Sequence, residues 1–264
     1  MEQFFCEMPY QSFPTFSLPH LAALAGIGIV CLSFFVFRSR LRAREDGKIA
    51  GGMLGRIFLT FMVFQQLALY LWYASIGRFD ASTCLPFQLC GASVWLCVAL
   101  WITQDHRIFE VVYFWGLCGT AQALLTPSMD GYVFPHFRFF QFFAGHGMIV
   151  VTIFYFLAVR GWRVDLSSLK KSFVWLQLLA VCAGAANLLT GGNYMFLARK
   201  PDSASLLSFL PDWPYYLVLL EVLALAFMGL ALLPFVLPGK LARWREFLQK
   251  AKGDTHYEAA ADSF

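Results

Sequence analysis

Residues 137–160, FRFFQFFAGHGMIVVTIFYFLAVR, form an apolar run long enough to cross a bilayer as a helix. A membrane span needs about 20 mainly apolar residues at roughly 1.5 Å of rise each. Well inside the run lies His146, between Gly145 and Gly147. An ionisable side chain in hydrocarbon is costly, so it faces a bundle interior or a cavity. Small neighbours let another helix or a ligand come close to the imidazole.

Six more apolar runs accompany this one: Leu18–Phe37, Ile57–Ile76, Leu85–Ile102, Ile108–Leu125, Phe173–Leu189 and Trp213–Val236, with the central run itself over Phe139–Val159. Alternating strand patterns are absent, and a helix satisfies its own backbone groups in lipid. Composition agrees, with 59% hydrophobic, 18% aromatic and only 14% charged residues, where a soluble domain carries about 25% charge. The expected fold class is all-α, a polytopic membrane helix bundle of seven transmembrane helices in one domain over residues 1–237. Residues 238–264 then form a basic cytoplasmic tail, in which GKLARWREFLQK (239–250) reads as an amphipathic helix on the inner membrane surface.

Charge placement sets the orientation. The segment 38–56 carries Arg38, Arg40, Arg42, Arg44, Lys48 and Arg56. Arg107, then Arg160, Arg163, Lys170 and Lys171, then the basic tail, fall on the same side. The opposite side holds only Arg78, Arg138, Arg199 and Lys200. The positive-inside rule puts the N-terminus outside and the C-terminus in the cytoplasm, as seven crossings also require. The N-terminal MEQFFCEMPYQSF lacks a basic n-region, so no cleavable signal peptide is expected. Basic residues between apolar spans give no nucleic-acid signature. The seven cysteines form no CxxC pair, so neither a metal site nor a cofactor is called for. Cys6 and Cys84 both fall outside, where a disulfide is one option. Membrane lipids are the expected partners, and the oligomeric state stays open.

Polar residues concentrate in the outer half of the spans. Gln88 and Cys90 open the third, Gln122 lies near the outer end of the fourth, and Gln141 and His146 lie in the fifth. Asn187 lies in the sixth, followed by Asn193 and Tyr194, and Glu221 is some two turns into the seventh. The inner half is apolar apart from Gln65, Gln66 and Glu110. This distribution predicts a polar cavity opening outward. If helix begins near Pro86, Gln88 and Cys90 stand roughly 200° apart and cannot face one partner. Each residue also has a plain structural reading: His146 as a hub between helices, the amides as interhelical glue, Cys90 as an inert buried thiol.

CLPFQLC (84–90), GLCGTAQALLTP (116–127), FFAGH (142–146), NYMFLARKP (193–201), WPYYL (213–217) and FSLPHLAAL (16–24), in that spacing, resemble the YwaF-type integral membrane family of bacteria. The resemblance covers most of the chain. It implies a relation to a vertebrate transmembrane acyltransferase that moves acyl chains between phospholipids, and more distantly to membrane hydrolases of fatty acid esters of hydroxy fatty acids. Those relatives are thought to use a Cys or Thr nucleophile with an intramembrane His. His146 matches the deep histidine. The vertebrate enzyme has Cys and His directly after the proline, where this chain has Phe87 and Gln88. Bacterial members often read LPxHxC, and here Gln88 stands at the His position while Cys90 remains.

Three functions follow from these readings. In an intramembrane lipid acyltransferase or acyl-ester hydrolase, His146 is the base and Cys90 the acyl acceptor. Gln88, Gln122, Asn187 or Asn193 then serve the oxyanion, and Glu221 orients the base, with Gln141 and Tyr194 among the substrate-binding residues. A non-catalytic lipid or small-molecule binder or sensor uses the same cavity without chemistry. A small transporter needs a continuous polar path reaching Gln65 and Glu110. The topology has its own test. An N-terminal epitope on intact cells or sealed vesicles is expected to be accessible from outside, and a C-terminal one only after permeabilisation. Both epitopes on one side would refute seven crossings.

Overall fold

The computed structural model describes residues 2–6, 11–43, 52–129, 131–200 and 210–261, with side chains described from residue 4 to residue 238 of these. Every regular element among them is helical. The order is α1 (Glu2–Phe5), α2 (Leu18–Val36), α3 (Arg38–Arg42), α4 (Met53–Ser75), α5 (Leu89–Thr103), α6 (His106–Leu125), α7 (Phe137–Ala158), α8 (Leu166–Thr190), a 3-10 turn (Tyr194–Phe196) and α9 (Tyr215–Ala261). Six helices, α2, α4, α6, α7, α8 and α9, are long and apolar enough to cross a membrane. The third expected span is shorter than its apolar run. Its helix starts at Leu89 rather than Leu85, because Gln88 is an extended N-cap (φ −71°, ψ 141°). The resulting 15 residues reach about 22 Å, less than the roughly 30 Å hydrocarbon core.

α6 and α7 form the centre. Buried residues make up 67% of the apolar stretch of α7 and 56% of that of α6, against 17–22% for α2, α4, α8 and α9. α7 packs on α2, α4, α5 and α6, while α6 packs on α5, α7, α8 and α9. The outer helices turn large apolar side chains outward, such as Leu71, Val181, Leu188 and Val218, where lipid is an acceptable solvent. Glycines permit the close packing at the centre. A Cβ on Gly116 would come within 2.5 Å of Ile149 Cγ2 and 2.9 Å of Ile153 Cδ1. The two glycines beside His146 admit neighbouring helices: Gly145 lets Gln65 of α4 approach, and Gly147 lets Ile27 of α2 approach.

Hydrogen bonds from aromatic and polar side chains tie the helices together. Trp101 Nε1 donates to Thr152 Oγ1 at 2.9 Å, joining α5 to α7. Trp115 Nε1 donates to the Ser172 carbonyl at 3.0 Å, joining α6 to α8. Tyr113 Oη donates to the Ala231 carbonyl at 2.7 Å, joining α6 to α9. His20 is fully buried. Its Nδ1 accepts from Phe16 N at 2.9 Å, so Nε2 carries the proton and donates to the Leu124 carbonyl at 2.8 Å.

One end of the bundle is basic. Arg42 donates to the Ala158 and Val159 carbonyls at the C-terminus of α7, a favourable place for a cation. Arg160 donates to Gln104. α8 begins at Leu166, seven residues before the expected span, because Asp165 and Ser168 make a reciprocal capping box. This puts Lys171 on the helix, where it bonds both Glu110 oxygens at 3.0 and 3.2 Å. At the opposite end, Cys6 and Cys84 are free thiols, so the disulfide option is not taken. Residues 239–250 continue α9 as helical backbone through Pro238.

Gly116→Ala is expected to destabilise the bundle by about 1–3 kcal/mol through overpacking. In thermal unfolding in detergent, pairing it with Ile149→Ala should cost less than the two single changes summed. Strict additivity would contradict the contact.

Candidate functional site

At the end opposite the basic one, helices α4 to α9 enclose a cavity of about 520 Å³, within the roughly 300–1,000 Å³ usual for ligand pockets. Its walls are largely apolar, with Leu69, Val94, Ile149, Leu176, Leu220 and Phe227 among them. Its polar lining includes Gln66, Gln88, Cys90, Cys118, Gln122, Thr126, Ser128, Arg138, Gln141, His146 and Glu221. Six residues singled out in the sequence, Gln88, Cys90, Gln122, Gln141, His146 and Glu221, therefore share one cavity wall. Asn187, Asn193 and Tyr194 do not line it.

His146 is the ninth residue after the first of α7, roughly 13 Å along the axis. Its Nδ1 lies 2.8 Å from the Phe142 carbonyl one turn back. A carbonyl only accepts, so Nδ1 carries the proton and Nε2 keeps a lone pair. The Phe142 ring lies against the imidazole with centroids 4.1 Å apart, which fixes the ring's orientation. Glu221 does not do this. Its Oε2 accepts from Gln177 Nε2 of α8 at 2.8 Å, which corrects the expected role of Glu221 as the orienting partner of the base. The backbone of α7 supplies that partner instead, because a helical histidine reaches its own i−4 carbonyl more readily than a carboxylate two helices away.

Gln88 and Cys90 both reach the cavity, contrary to the expected helix phase. Gln88 precedes the first turn of α5, so the 200° separation does not apply to it. Its amide is already engaged: Oε1 accepts from Met195 N at 3.0 Å, and Nε2 donates to the Asn193 carbonyl at 3.4 Å. Asn187 accepts from Tyr194 N at 2.6 Å and donates to its carbonyl at 3.1 Å. Asn193 accepts from Ala198 N and Arg199 N and donates to the Arg199 carbonyl. Tyr194 Oη donates to the Ala81 carbonyl at 2.7 Å and accepts from Leu85 N at 2.9 Å. These four residues hold the 81–88 and 193–199 segments together over the cavity. Burial raises the Tyr194 phenol, which keeps it a neutral hydroxyl at physiological pH.

Two cavity groups, Cys118 and Arg138, were not among the candidate site residues, and Gln65, read from the sequence as an inner-half residue, proves to bond to one that was. Cys118 is a second thiol in the wall. Gln65 receives Gln141 Nε2 at 3.0 Å on Oε1 and donates to the Met62 carbonyl at 3.2 Å. Arg138 is only 8% exposed, and its Nη1 donates to Gln141 Oε1. A signal for Arg138 existed. Arg138, Gln141 and Gly145 follow the i, i+3, i+7 pattern of one helix face, and Arg138 lies about two turns before His146.

A model of the TMEM164 family matches residues 15–232. The chain belongs to the TMEM164 family. The matched region runs from just before α2 well into α9, so it contains every cavity-lining residue. Family and apolar helices together make this a multi-pass membrane protein. No curated protein and no solved structure matches the chain.

The helix that carries Arg138, Gln141 and His146 starts at a histidine. His136 Nδ1 accepts from Arg138 N at 3.1 Å, and its Nε2 donates to the Cys6 carbonyl at 3.0 Å. This cap requires neutral imidazole. Burial, with a smaller contribution from Arg138, lowers the His136 pKa below its ordinary 6.5. A lowered histidine pKa means the unfolded chain takes up more protons, so this contribution is complete above pH 6.5 and is lost as pH falls through the folded value. The melting temperature of His136→Asn, whose amide can cap without titrating, is expected to fall less than that of wild type between neutral pH and about pH 5. Parallel curves would remove His136 as the cause.

Proposed function

We propose that this family member is an intramembrane acyl-lipid enzyme, a transferase or hydrolase that takes its substrate from the outer leaflet. What carries the reading is His146. Its Nδ1–H is held by the Phe142 carbonyl, leaving Nε2 as the basic atom in a cavity that Cys90 also lines. A tautomer fixed in this way prepares an imidazole for general-base work. The resemblance to YwaF-type proteins and to a phospholipid acyltransferase supports the same chemistry.

In the first half-reaction the Cys90 thiol gives its proton to His146 Nε2, and the sulfur bonds to the acyl carbonyl carbon. The carbonyl oxygen takes the electron pair, and Gln122, whose amide has no partner among the described residues, is the available donor. Gln88, Asn187 and Asn193 have spent their amides on the backbone. Collapse breaks the ester C–O bond, and the leaving alkoxide takes the proton from the imidazolium. In the second half-reaction an acceptor hydroxyl gives its proton to Nε2 and attacks the thioester. The sulfur leaves and is reprotonated. Water as acceptor makes the enzyme a hydrolase, and a lysolipid makes it a transferase.

The frame for this reading is a seven-crossing domain over 1–237 with the N-terminus outside and 238–264 as a cytoplasmic tail. α5 begins at the cavity end and ends beside α6 at the basic end, which supports a seventh crossing despite its length. The transporter reading loses ground. Past the cavity, α5, α6 and α7 pack fully buried apolar residues against one another, with Cys97, Leu100, Phe114 and Ile153 among them. Glu110 lies beyond them, held by Lys171 and by Ser168 Oγ at 2.8 Å. A binder without chemistry would use the same cavity and differs only in turnover.

Purified protein in phospholipid vesicles, given a labelled lysophospholipid and followed by mass spectrometry, tests the proposal. Wild type should transfer or release acyl chains. His146→Ala should lower the rate by roughly 10²–10⁴-fold, Cys90→Ala should abolish the acyl-enzyme, and Cys118→Ala should change little. Loss with His146→Ala alone would keep the enzyme and discard Cys90 as nucleophile. No turnover by folded wild type across several lipid classes would leave the binder.

A further inference from the structure

We propose that Arg138 is the anion-recognition site of the cavity, gripping the negatively charged oxygen head of an acyl lipid while the chain lies along the apolar wall. The proposal deepens the acyl-lipid reading by assigning the head group a place, and it rests on that reading for the lipid nature of the ligand.

Arg138 sits in the second position of α7 and lines the cavity, the residue as a whole more than nine-tenths buried. Arginine stays charged at any pH a protein meets. A buried charge is expensive unless a counter-charge or a full set of acceptors compensates it. Among the described residues neither is present. Among the described residues no carboxylate lies within 4 Å of it, whereas Lys171 and Lys200 each have one. Its one acceptor is the neutral Gln141 Oε1. Nε is buried with no hydrogen-bond partner among the described residues. The Tyr73 ring, 5.8 Å from Cζ, adds a cation–π contact but no acceptor.

Gln141 cannot turn away from this arrangement. Its Nε2 is held by Gln65, which is held in turn by the Met62 carbonyl. The relay fixes Oε1 toward Arg138 and holds the guanidinium at the cavity wall with donors to spare. Planar bidentate donors match the oxygens of a phosphodiester or a carboxylate. Arg138 lies at the start of α7, toward the cavity mouth, and His146 lies about two turns deeper. A head group held at Arg138 would therefore lead its ester bonds and chain inward, toward the base.

Binding, not turnover, tests this. Full-length protein in detergent would be titrated with three probes that share one oleoyl chain: lysophosphatidylglycerol (phosphodiester), oleate (carboxylate) and monooleoylglycerol (neutral). The wild type is expected to bind at least one anionic probe roughly 10–100-fold more tightly than the neutral one, the range for a charge-assisted contact. Preference for lysophosphatidylglycerol would identify a phospholipid head, and preference for oleate a free fatty acid. Arg138→Gln should erase the ratio, and Arg138→Lys should keep part of it. Equal binding of all three probes by wild type overturns the proposal even if Arg138→Gln fails to fold, and so does a ratio that survives in folded Arg138→Gln. His146→Ala should leave the ratio unchanged. A charge-dependent ratio without turnover would keep this site and discard the enzyme, and turnover with a flat ratio would do the reverse.

Discussion

A polar atom inside a bundle surrounded by hydrocarbon has no water to fall back on, and an unmade hydrogen bond there costs several kcal/mol. The structure follows from how this cost is met. Several indole, hydroxyl and imidazole groups at helix contacts reach an acceptor on another helix: Trp101 on Thr152, Trp115 on Ser172, Tyr113 on Ala231, His20 on Leu124. Each such bond sets a helix's rotation as well as its position, because the donor must face its partner. Against this background, the Nε of Arg138, unpartnered among the described residues, and the Nε2 lone pair of His146 stand out in the cavity wall.

The same economy divides the molecule lengthwise. The basic end is closed by charged and polar pairs, with Lys171 and Ser168 on Glu110 and with Arg42 on the last carbonyls of α7. The middle is filled by aromatic packing around Trp101, Tyr155 and Phe156. The opposite end is left open between loops that Tyr194, Asn187, Asn193 and Gln88 bind to one another.

Much of the fold was legible in the sequence because membrane helices need long apolar runs, and such runs are readable without tertiary information. Boundaries were less so. α8 starts early because the Asp165–Ser168 box lets Lys170 and Lys171 join the helix. α5 starts late because Gln88 is engaged by the 193–195 backbone. Both causes are contacts between atoms that no window average contains. The candidate site was legible in part for a similar reason. Depth in the membrane can be counted along the chain, and this count singled out His146, Cys90, Gln122, Gln141 and Glu221, which share the cavity. Partners cannot be counted, so the expected role of Glu221 beside His146 gave way to Gln177, and Arg138 was passed over as a topology charge.

The sequence by itself determined that this is a helical membrane protein and that a histidine lies inside a span between glycines, but it misplaced Gln65 and Gln66, which join the cavity side. The two determinations follow from length, hydropathy and charge, which add up residue by residue. Only the tertiary structure decided which polar groups keep a free valence. That depends on helix rotation and approach, which arise from pairwise contacts such as Gly116 against Ile149 and Gly145 against Gln65. The tautomer held at His146 and the Arg138 charge, without a carboxylate partner among the described residues, are consequences of that packing.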